Sequence, residues 1–163
     1  MEELHVLLGK KRKLGRKIED ITAGEKLVIT EKIEDKDLLL YLGLTNDANP
    51  LYIQHDYAMK TLFGKPIVPT IMLTGIVTSA VSKYMPGPGS HVFEQHLTFP
   101  HPAYHYDTLE FLFEVQDVYP SENQIVVKVE AKNEDHQVVV SGTLHVTPPK
   151  LANRMMEQSM ENF

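Results

Sequence analysis

An apolar segment near the middle of the chain most constrains how it can fold. Residues 69–81 contain only apolar residues, small hydroxyl residues and one glycine. A helix of this composition is expected to be buried on every side, and Pro69 suits its first turn. The run Pro86-Gly87-Pro88-Gly89 then ends the helix. The sequence therefore predicts a central helix around which the rest of the chain packs.

Strand-like segments surround this helix in the sequence. Apolar and polar residues alternate, or short apolar runs lie between turn residues, as expected for strands of an antiparallel sheet. The predicted strands are residues 25–33, 91–99, 109–115, 124–131 and 138–146. Together with the apolar helix they predict an α+β fold in which an antiparallel sheet wraps around a long central helix.

The segment between the first strand and the central helix combines short helices with a polar turn. Residues 38–44 form a compact apolar set that suits a helix, with Asp35 or Asp37 as its N-cap. Asn49 precedes a proline, which disfavours helical geometry and ends that helix. Residues 56–62 predict another short helix.

Composition excludes several classes of protein. The chain has 163 residues, enough for one domain with a core, and no cysteine, which rules out disulfides and thiolate metal sites. A net charge of −6 argues against nucleic acid as a partner. No apolar run approaches the roughly 20 residues that span a bilayer, and no signal-peptide core is present. A cytoplasmic protein without a membrane partner is therefore expected.

The two ends of the chain differ from the middle. A basic cluster (Lys10, Lys11, Arg12, Lys13, Arg16 and Lys17) lies in a lead-in of residues 1–17. Such a cluster usually forms a solvated segment, although contact with the phosphates of a ligand is an alternative. Residues 148–163 have no clear place in the sheet and form a C-terminal tail. One domain, residues 1–147, accounts for the remainder.

Three motifs between residues 45 and 79 resemble the MaoC-like hydratases, which have the hot-dog fold and add water to a trans-2-enoyl thioester. The family pattern Asp-x-Asn-Pro-x-His corresponds to residues 47–52, and its Phe-Gly-x-Pro-Ile corresponds to residues 63–67. Its His-Gly-Met corresponds to the stretch 69–73, in which Pro69-Thr70 replaces His-Gly. The later segments 87–90 and 100–109 are also similar. The resemblance covers roughly residues 16–147 and implies a single hot-dog domain.

The resemblance implies a role for each matching position. In the family an Asp and a His hold one water, and a backbone amide at the start of the central helix stabilises the thioester oxygen. Asp47 occupies the Asp position, and Tyr52 occupies the His position. Thr70 replaces the glycine that supplies the amide, and Thr78 stands where relatives carry a serine. The expected site comprises Asp47 and Tyr52 as catalytic residues, with Asn49, Thr70 and Thr78 binding the substrate.

The departure at Tyr52 leaves two hypotheses open. The first is a hydratase or dehydratase of enoyl and 3-hydroxyacyl thioesters of CoA or acyl-carrier protein, with Tyr52 orienting a water. The second is a weak or inactive thioester-binding or partner subunit of the same fold. A thioesterase is a distant third, since the Asp-x-Asn-Pro pattern belongs to the hydratase branch. Relatives use no metal and no cofactor beyond the thioester carrier, and they form homodimers or higher oligomers.

The residues themselves also permit structural roles. Asp47 and Asn49 suit helix capping and turns, and Tyr52 suits a core position. Other histidines (His55, His91, His96, His101 and His105) are weak substitutes for the missing one, because a histidine in a sheet is usually packed or solvated. Strict alternation in strand 91–99 predicts that His96 shares a face with Val92 and Glu94.

Overall fold

The computed structural model describes residues 13–151. Its central element is a five-stranded antiparallel sheet with the order β1-β3-β4-β5-β2. The strands are β1 (Lys26–Lys32), β2 (His91–Thr98), β3 (Thr108–Tyr119), β4 (Gln124–Lys132) and β5 (Val138–Thr147), and the helices are α1 (Asp35–Thr45), α2 (Pro50–Ile53), α3 (His55–Ala58) and α4 (Thr70–Tyr84). The predicted α+β architecture, an antiparallel sheet with a long apolar helix, is confirmed.

The core lies between the sheet and α4. On β3, Leu109, Phe111 and Phe113 alternate with exposed residues and are completely buried, because β-strand side chains point to opposite faces in turn. On α4, Leu73 and Val77 face the same cluster. Burying each such side chain stabilises the fold by about 1.5–3 kcal/mol. The sheet and α4 therefore form one hydrophobic unit.

The prediction that the central helix is buried on every side is wrong. The sheet covers only one face of α4, and on the other face the Ile71 and Tyr84 side chains are each 54% exposed. Gly75 and Ser82 are exposed on this helix too. The apolar and small residues of this second face are therefore left uncovered by the rest of residues 13–151.

A bulge in β2 changes which side chains face the core. The pairing of β2 with β5 shifts between Val92 and Glu94, so that Val92 and Leu97 both pack against the core although their separation is odd. His96 lies with Glu94 on the outer face, where the Nε2 atom of His96 is 2.7 Å from Oε1 of Glu94. The predicted shared face of His96 and Val92 is therefore wrong, because strict alternation does not allow for the inserted residue.

The start of α1 also differs from the prediction. Glu34, with extended backbone, is the N-cap residue, whereas Asp35 and Asp37 lie inside the first turn. The carboxylate of Asp37 accepts a hydrogen bond of 3.0 Å from the Glu34 amide, and carboxylates in the first turn are favoured by the helix dipole. The helix predicted at residues 56–62 is only α3, because the Thr61 hydroxyl bonds the Ala58 carbonyl (2.6 Å) in a turn.

The two ends of the described chain meet beside the end of α4. The Gly15 amide donates to the Pro88 carbonyl at 2.7 Å, and Asn123 Nδ2 donates to the Pro148 carbonyl at 3.0 Å. A β-carbon on Gly15 would lie 2.5 Å from the Pro86 carbonyl oxygen, so only glycine permits this approach. Lys10, Lys11 and Arg12 of the basic cluster and residues 152–163 of the tail lie outside the described residues. The boundaries of the domain and its tail stay predictions.

Within the described range, no helix combines the length and the apolar character that crossing a bilayer requires.

Candidate functional site

Asp47 lies in the turn between α1 and α2. The helix ends because Asn46 adopts a left-handed conformation with φ of 55°, which asparagine tolerates better than most residues. The Asp47 amide donates to the Thr45 hydroxyl oxygen at 3.1 Å, and that hydroxyl donates to the Tyr41 carbonyl at 2.8 Å. These two hydrogen bonds fix the backbone of the turn and so hold the Asp47 side chain at the end of α1.

The Tyr41 hydroxyl donates a hydrogen bond of 2.6 Å to Oδ2 of Asp47. Acting as the acceptor, the Asp47 carboxylate raises the pKa of Tyr41, and partial desolvation adds to this effect. Tyr41 therefore keeps its proton and orients the carboxylate. Sequence reasoning missed Tyr41, whose only signal was a hydroxyl-bearing aromatic residue in the otherwise apolar α1.

Tyr52 and Asn49 complete the group around Asp47. The Tyr52 ring packs edge-on against Tyr41, with the ring centres 6.4 Å apart and the planes at 75°. Asn49 is the N-cap of α2, since its Oδ1 accepts from the Leu51 amide at 3.0 Å. Asn49 thus fixes a turn as expected, but it caps the following helix and not the preceding one, whose C-cap is Asn46. A contact of Asn49 with substrate stays a prediction. The structure brings Tyr41, Asp47 and Tyr52 together.

A groove of about 650 Å³ runs between α1 and α4 beside this group. Tyr41 and Thr45 line one wall, and Ile71, Thr78 and Ser79 line the other. Thr78 therefore lies across the groove from the residues that orient Asp47. The groove is open and largely apolar, and it is of a size that holds a small ligand.

Thr70 is the first residue of α4 and is exposed. The amide groups of the first helical turn have no partner within the helix, and they carry the positive end of the helix dipole. The neighbouring Ile71 lines the groove, whereas Thr70 itself does not. The predicted position of the Thr70 amide at the start of the central helix is confirmed, and its use by a thioester oxygen stays a prediction.

The other histidines separate into two groups. His55 and His105 line a cavity that also includes Tyr52. His96 lies on the outer face of the sheet, and the Nδ1 atom of His101 is 3.1 Å from the Val138 carbonyl oxygen. Between residues 13 and 151 no group of three or more histidine and acidic side chains is arranged to hold a metal ion.

Comparison with known proteins decides the family. The description "MaoC like domain" belongs to the family profile that matches residues 17–137, which is most of the chain. The chain belongs to the MaoC-like domain family. The resemblance in the motifs of residues 47–72 is thereby confirmed, and so is the hot-dog fold.

Curated MaoC-like relatives match over most of their length. The chain is 28% identical over 131 residues to the (R)-specific enoyl-CoA hydratase of Rhodospirillum rubrum, covering 80% of this chain and 90% of the relative. It is 26% identical over 132 residues to the 3-hydroxybutyryl-CoA dehydratase of Methylorubrum extorquens, covering 81% and 83%. Among solved structures, the unliganded R-hydratase PhaJ1 from Pseudomonas aeruginosa aligns with a TM-score of 0.77 at 26% identity, covering 85% of this chain and 93% of that one.

Proposed function

We propose that this MaoC-like chain is a hydro-lyase that interconverts trans-2-enoyl and 3-hydroxyacyl thioesters of CoA or acyl-carrier protein. The names of its relatives support this reaction class. The single observation that carries the proposal is the Asp47 carboxylate, held at the end of α1 by the 2.6 Å bond from Tyr41 in a turn that matches the family motif. A fixed carboxylate beside a groove has the geometry of a general base.

Asp47 takes the proton of a water molecule as the water oxygen forms its bond to the β-carbon. One carboxylate oxygen is engaged by Tyr41, and the other oxygen accepts this proton. The same carboxyl then returns the proton to the α-carbon, so that one water is added and no proton is gained or lost. The Thr70 amide stabilises the negative charge that develops on the thioester oxygen. Dehydration follows the same steps in reverse.

Tyr52 holds the water by a hydrogen bond from its hydroxyl. Its phenol orients the water but does not relay a proton as an imidazole does. The edge-on packing of Tyr52 against Tyr41 fixes the direction of its ring. The proton transfers therefore depend on Asp47 alone.

The test is hydration of crotonyl-CoA, followed by the loss of enoyl absorbance, with wild type and Asp47→Asn compared. The amide keeps the shape of the side chain and removes its basicity, so a fall in kcat of about 100-fold or more is expected. Asp56→Asn, a change at an exposed carboxylate of α3, is the matched control and should retain full rate. Equal rates for wild type and Asp47→Asn would contradict the proposal.

Two further variants separate the tyrosines. Tyr41→Phe removes the bond to Asp47 and should lower kcat more than it raises KM, by about 10-fold, which is the cost of losing roughly 1.4 kcal/mol of orientation. Tyr52→His should raise kcat and introduce a pH dependence near pH 6.5. An unchanged rate in Tyr41→Phe would remove Tyr41 from the mechanism.

A thioester-binding subunit without turnover is the second candidate, favoured by Tyr52 in the histidine position. It predicts affinity for acyl-CoA by calorimetry together with no hydration of crotonyl-CoA by wild type. The absence of both binding and turnover would exclude this candidate as well.

A homodimer supports either function. The uncovered groove between α1 and α4 and the edge strand β2 lie on surfaces that a second copy would cover, since sheet edges and apolar patches favour association. Light scattering after gel filtration gives the mass, and a monomer at micromolar concentration would exclude the homodimer. A cytoplasmic location and the absence of a cofactor stay predictions.

A further inference from the structure

A second cavity lies on the other side of α1 from the groove that contains Thr78. Its volume is about 790 Å³, within the range of sites for small ligands. Leu38, Leu39, Leu42 and Ile53 give it apolar walls, and polar side chains enter it from three other segments of the chain. Large apolar walls with a few converging polar groups are typical of a binding site rather than of a packing defect.

His105 is the least satisfied of these polar groups. Both of its ring nitrogens are covered from solvent, and neither has a hydrogen-bond partner among residues 13–151. A neutral imidazole has one N–H donor and one acceptor nitrogen, and leaving either unpaired in the interior costs about 1–3 kcal/mol. Because rotation about the last side-chain bond of histidine is broad, a ring nitrogen can turn toward the cavity at small cost. A ligand atom that pairs with the ring would recover this energy.

The turn that carries His105 contains a strained residue, Tyr106, that lines the same cavity. Tyr106 has φ of 70°, a left-handed conformation that is an outlier for a bulky residue. Its hydroxyl donates to the Asp35 carboxylate across the cavity mouth, and both residues line the cavity. Strain of this kind persists where the surrounding structure holds it, and it is concentrated at ligand sites.

The cavity is connected to the Asp47 group through Tyr52. The Tyr52 side chain forms part of the cavity wall, and its ring contacts Tyr41, the residue bonded to Asp47. A chain that extends from a thioester at Asp47 past Tyr52 would meet the leucines of α1 that line this cavity. His55, His105 and Lys65, which are hydrogen-bond donors, line the same cavity.

We propose that this cavity, lined by Tyr52, His55, Lys65 and His105, binds the distal part of an acyl chain that carries an oxygen substituent. The inference rests on the proposed thioester function of the Asp47 site. A carboxylate or hydroxyl oxygen at the end of the chain accepts from His105 and from the exposed donors His55 and Lys65, whereas a plain methyl end leaves the His105 ring unpaired among residues 13–151. Asp35 does not repel this oxygen strongly because Tyr106 already donates to its carboxylate.

The test measures binding rather than turnover, so that it does not depend on catalysis. Calorimetry compares octanoyl-CoA with its counterpart of equal length that ends in a carboxylate, both saturated and therefore unreactive. Wild type should bind the carboxylate-ended ligand roughly tenfold more tightly, and a hydroxyl-ended ligand should fall between the two. In His105→Phe the two ligands should bind with about equal affinity. His91→Phe, at an exposed position of β2, is the control and should keep the preference.

Each outcome has a distinct meaning. Equal affinity of wild type for the two ligands, or an unchanged preference in His105→Phe, would overturn the inference while leaving hydration of crotonyl-CoA unaffected. Failure of that hydration with the binding preference intact would instead overturn the proposed reaction. If His105→Phe does not fold, Lys65→Met tests the same donors from another segment and should reduce the preference for the carboxylate end severalfold.

Discussion

The inner face of β3 and the outer face of α1 are similarly apolar in sequence but are covered very differently. Leu109, Phe111 and Phe113 are completely buried on the side of the sheet that faces α4. By contrast, Leu40 and Leu44 on α1 are 74% and 85% exposed. No residue of α1 itself is buried. Apolar content alone thus does not decide whether a segment belongs to the core, since coverage by another element does.

We expect the same difference to separate stability from the proposed function in the molecule. The sheet and α4 carry most of the buried apolar surface, and the turn after α1 carries Asp47 and its partners. Elements with few buried contacts open more easily and are often the elements that bind ligands and partners. Substitutions in the two regions should therefore have opposite profiles, with large effects on folding in one and on activity or association in the other.

The largest effect is expected for Phe113→Ala in the core. Removing this completely buried ring should lower the free energy of unfolding by about 3–5 kcal/mol, through the loss of apolar burial and the cavity left behind. Urea denaturation followed by circular dichroism measures the change. Leu44→Ala, the matched substitution on α1, should change it by less than about 0.5 kcal/mol in dilute protein. Comparable losses for both variants would show that α1 is covered in solution, as in a tight dimer.

The next effect is expected at Gly142 on β5. A β-carbon at this position would lie 1.9 Å from the His96 carbonyl oxygen of the adjacent strand, so that β2 must move away from β5. Gly142→Ala should therefore destabilise the fold by about 1–3 kcal/mol, the usual cost of overpacking. Hydrogen exchange should show the loss of protection concentrated in β2. Ser141→Ala, which adds no atom, is the control, and a neutral Gly142→Ala would mean that the two strands are less closely paired.

The sequence predicted the covered region better than the uncovered one. The sheet, the helix and their order along the chain were predicted from two signals. These were the alternation of Phe111 and Phe113 with polar neighbours, which arises because burial on one face is periodic, and the apolar run of α4. The prediction of burial on all sides of α4 was wrong because periodicity does not report which faces another element covers. The bulge at Phe93 was also not predicted. The alternation of apolar and polar residues does not show where an extra residue is inserted in a strand.

The candidate site was only partly predictable. The motif around Asp47 located the turn, and the residue type of Asn49 indicated its turn-forming hydrogen bond but not that it caps the helix that follows. Tyr41 was missed because a hydroxyl in an apolar helix does not indicate which carboxylate it will meet six residues later. The cavity at His105 was missed for a related reason, since it is assembled from segments far apart in the chain and depends on the backbone of Tyr106.

The stability of the fold should depend on pH through His105 in the cavity beside α1. Burial lowers the pKa of His105, an effect that the nearby Asp35 and Asp107 carboxylates oppose only in part. In the unfolded chain this histidine titrates near about 6.5, so below that pH the unfolded state binds more protons than the folded state. Stability should therefore fall as the pH falls from about 7.5 to 5.5, the direction expected for a lowered pKa. Urea denaturation of wild type and His105→Phe across this range should show a weaker fall in the variant.

The pH range in which stability is lost distinguishes the contribution of His105 from those of the carboxylates. The pKa of Glu25 is lowered from 4.5, chiefly by its hydrogen bond from Arg16, so its contribution is lost only at a more acidic pH. An identical pH dependence in wild type and His105→Phe would assign the effect to another group. It would also imply that the His105 ring nitrogens are satisfied in solution.

The smallest effect is expected at Gly43 in α1. A change from glycine to alanine should stabilise the fold there, whereas the same change in β5 should destabilise it. Gly43 lies inside α1, and a β-carbon there would meet no atom of residues 13–151 within 4 Å. Because alanine loses less backbone entropy in a helix than glycine does, Gly43→Ala should stabilise the fold by about 0.5–1 kcal/mol. Denaturation midpoints at low and high protein concentration measure the change. A gain in dilute protein that disappears at high concentration would mean that a second copy packs against α1 at Gly43, and that the face left open in one chain is closed in the assembly.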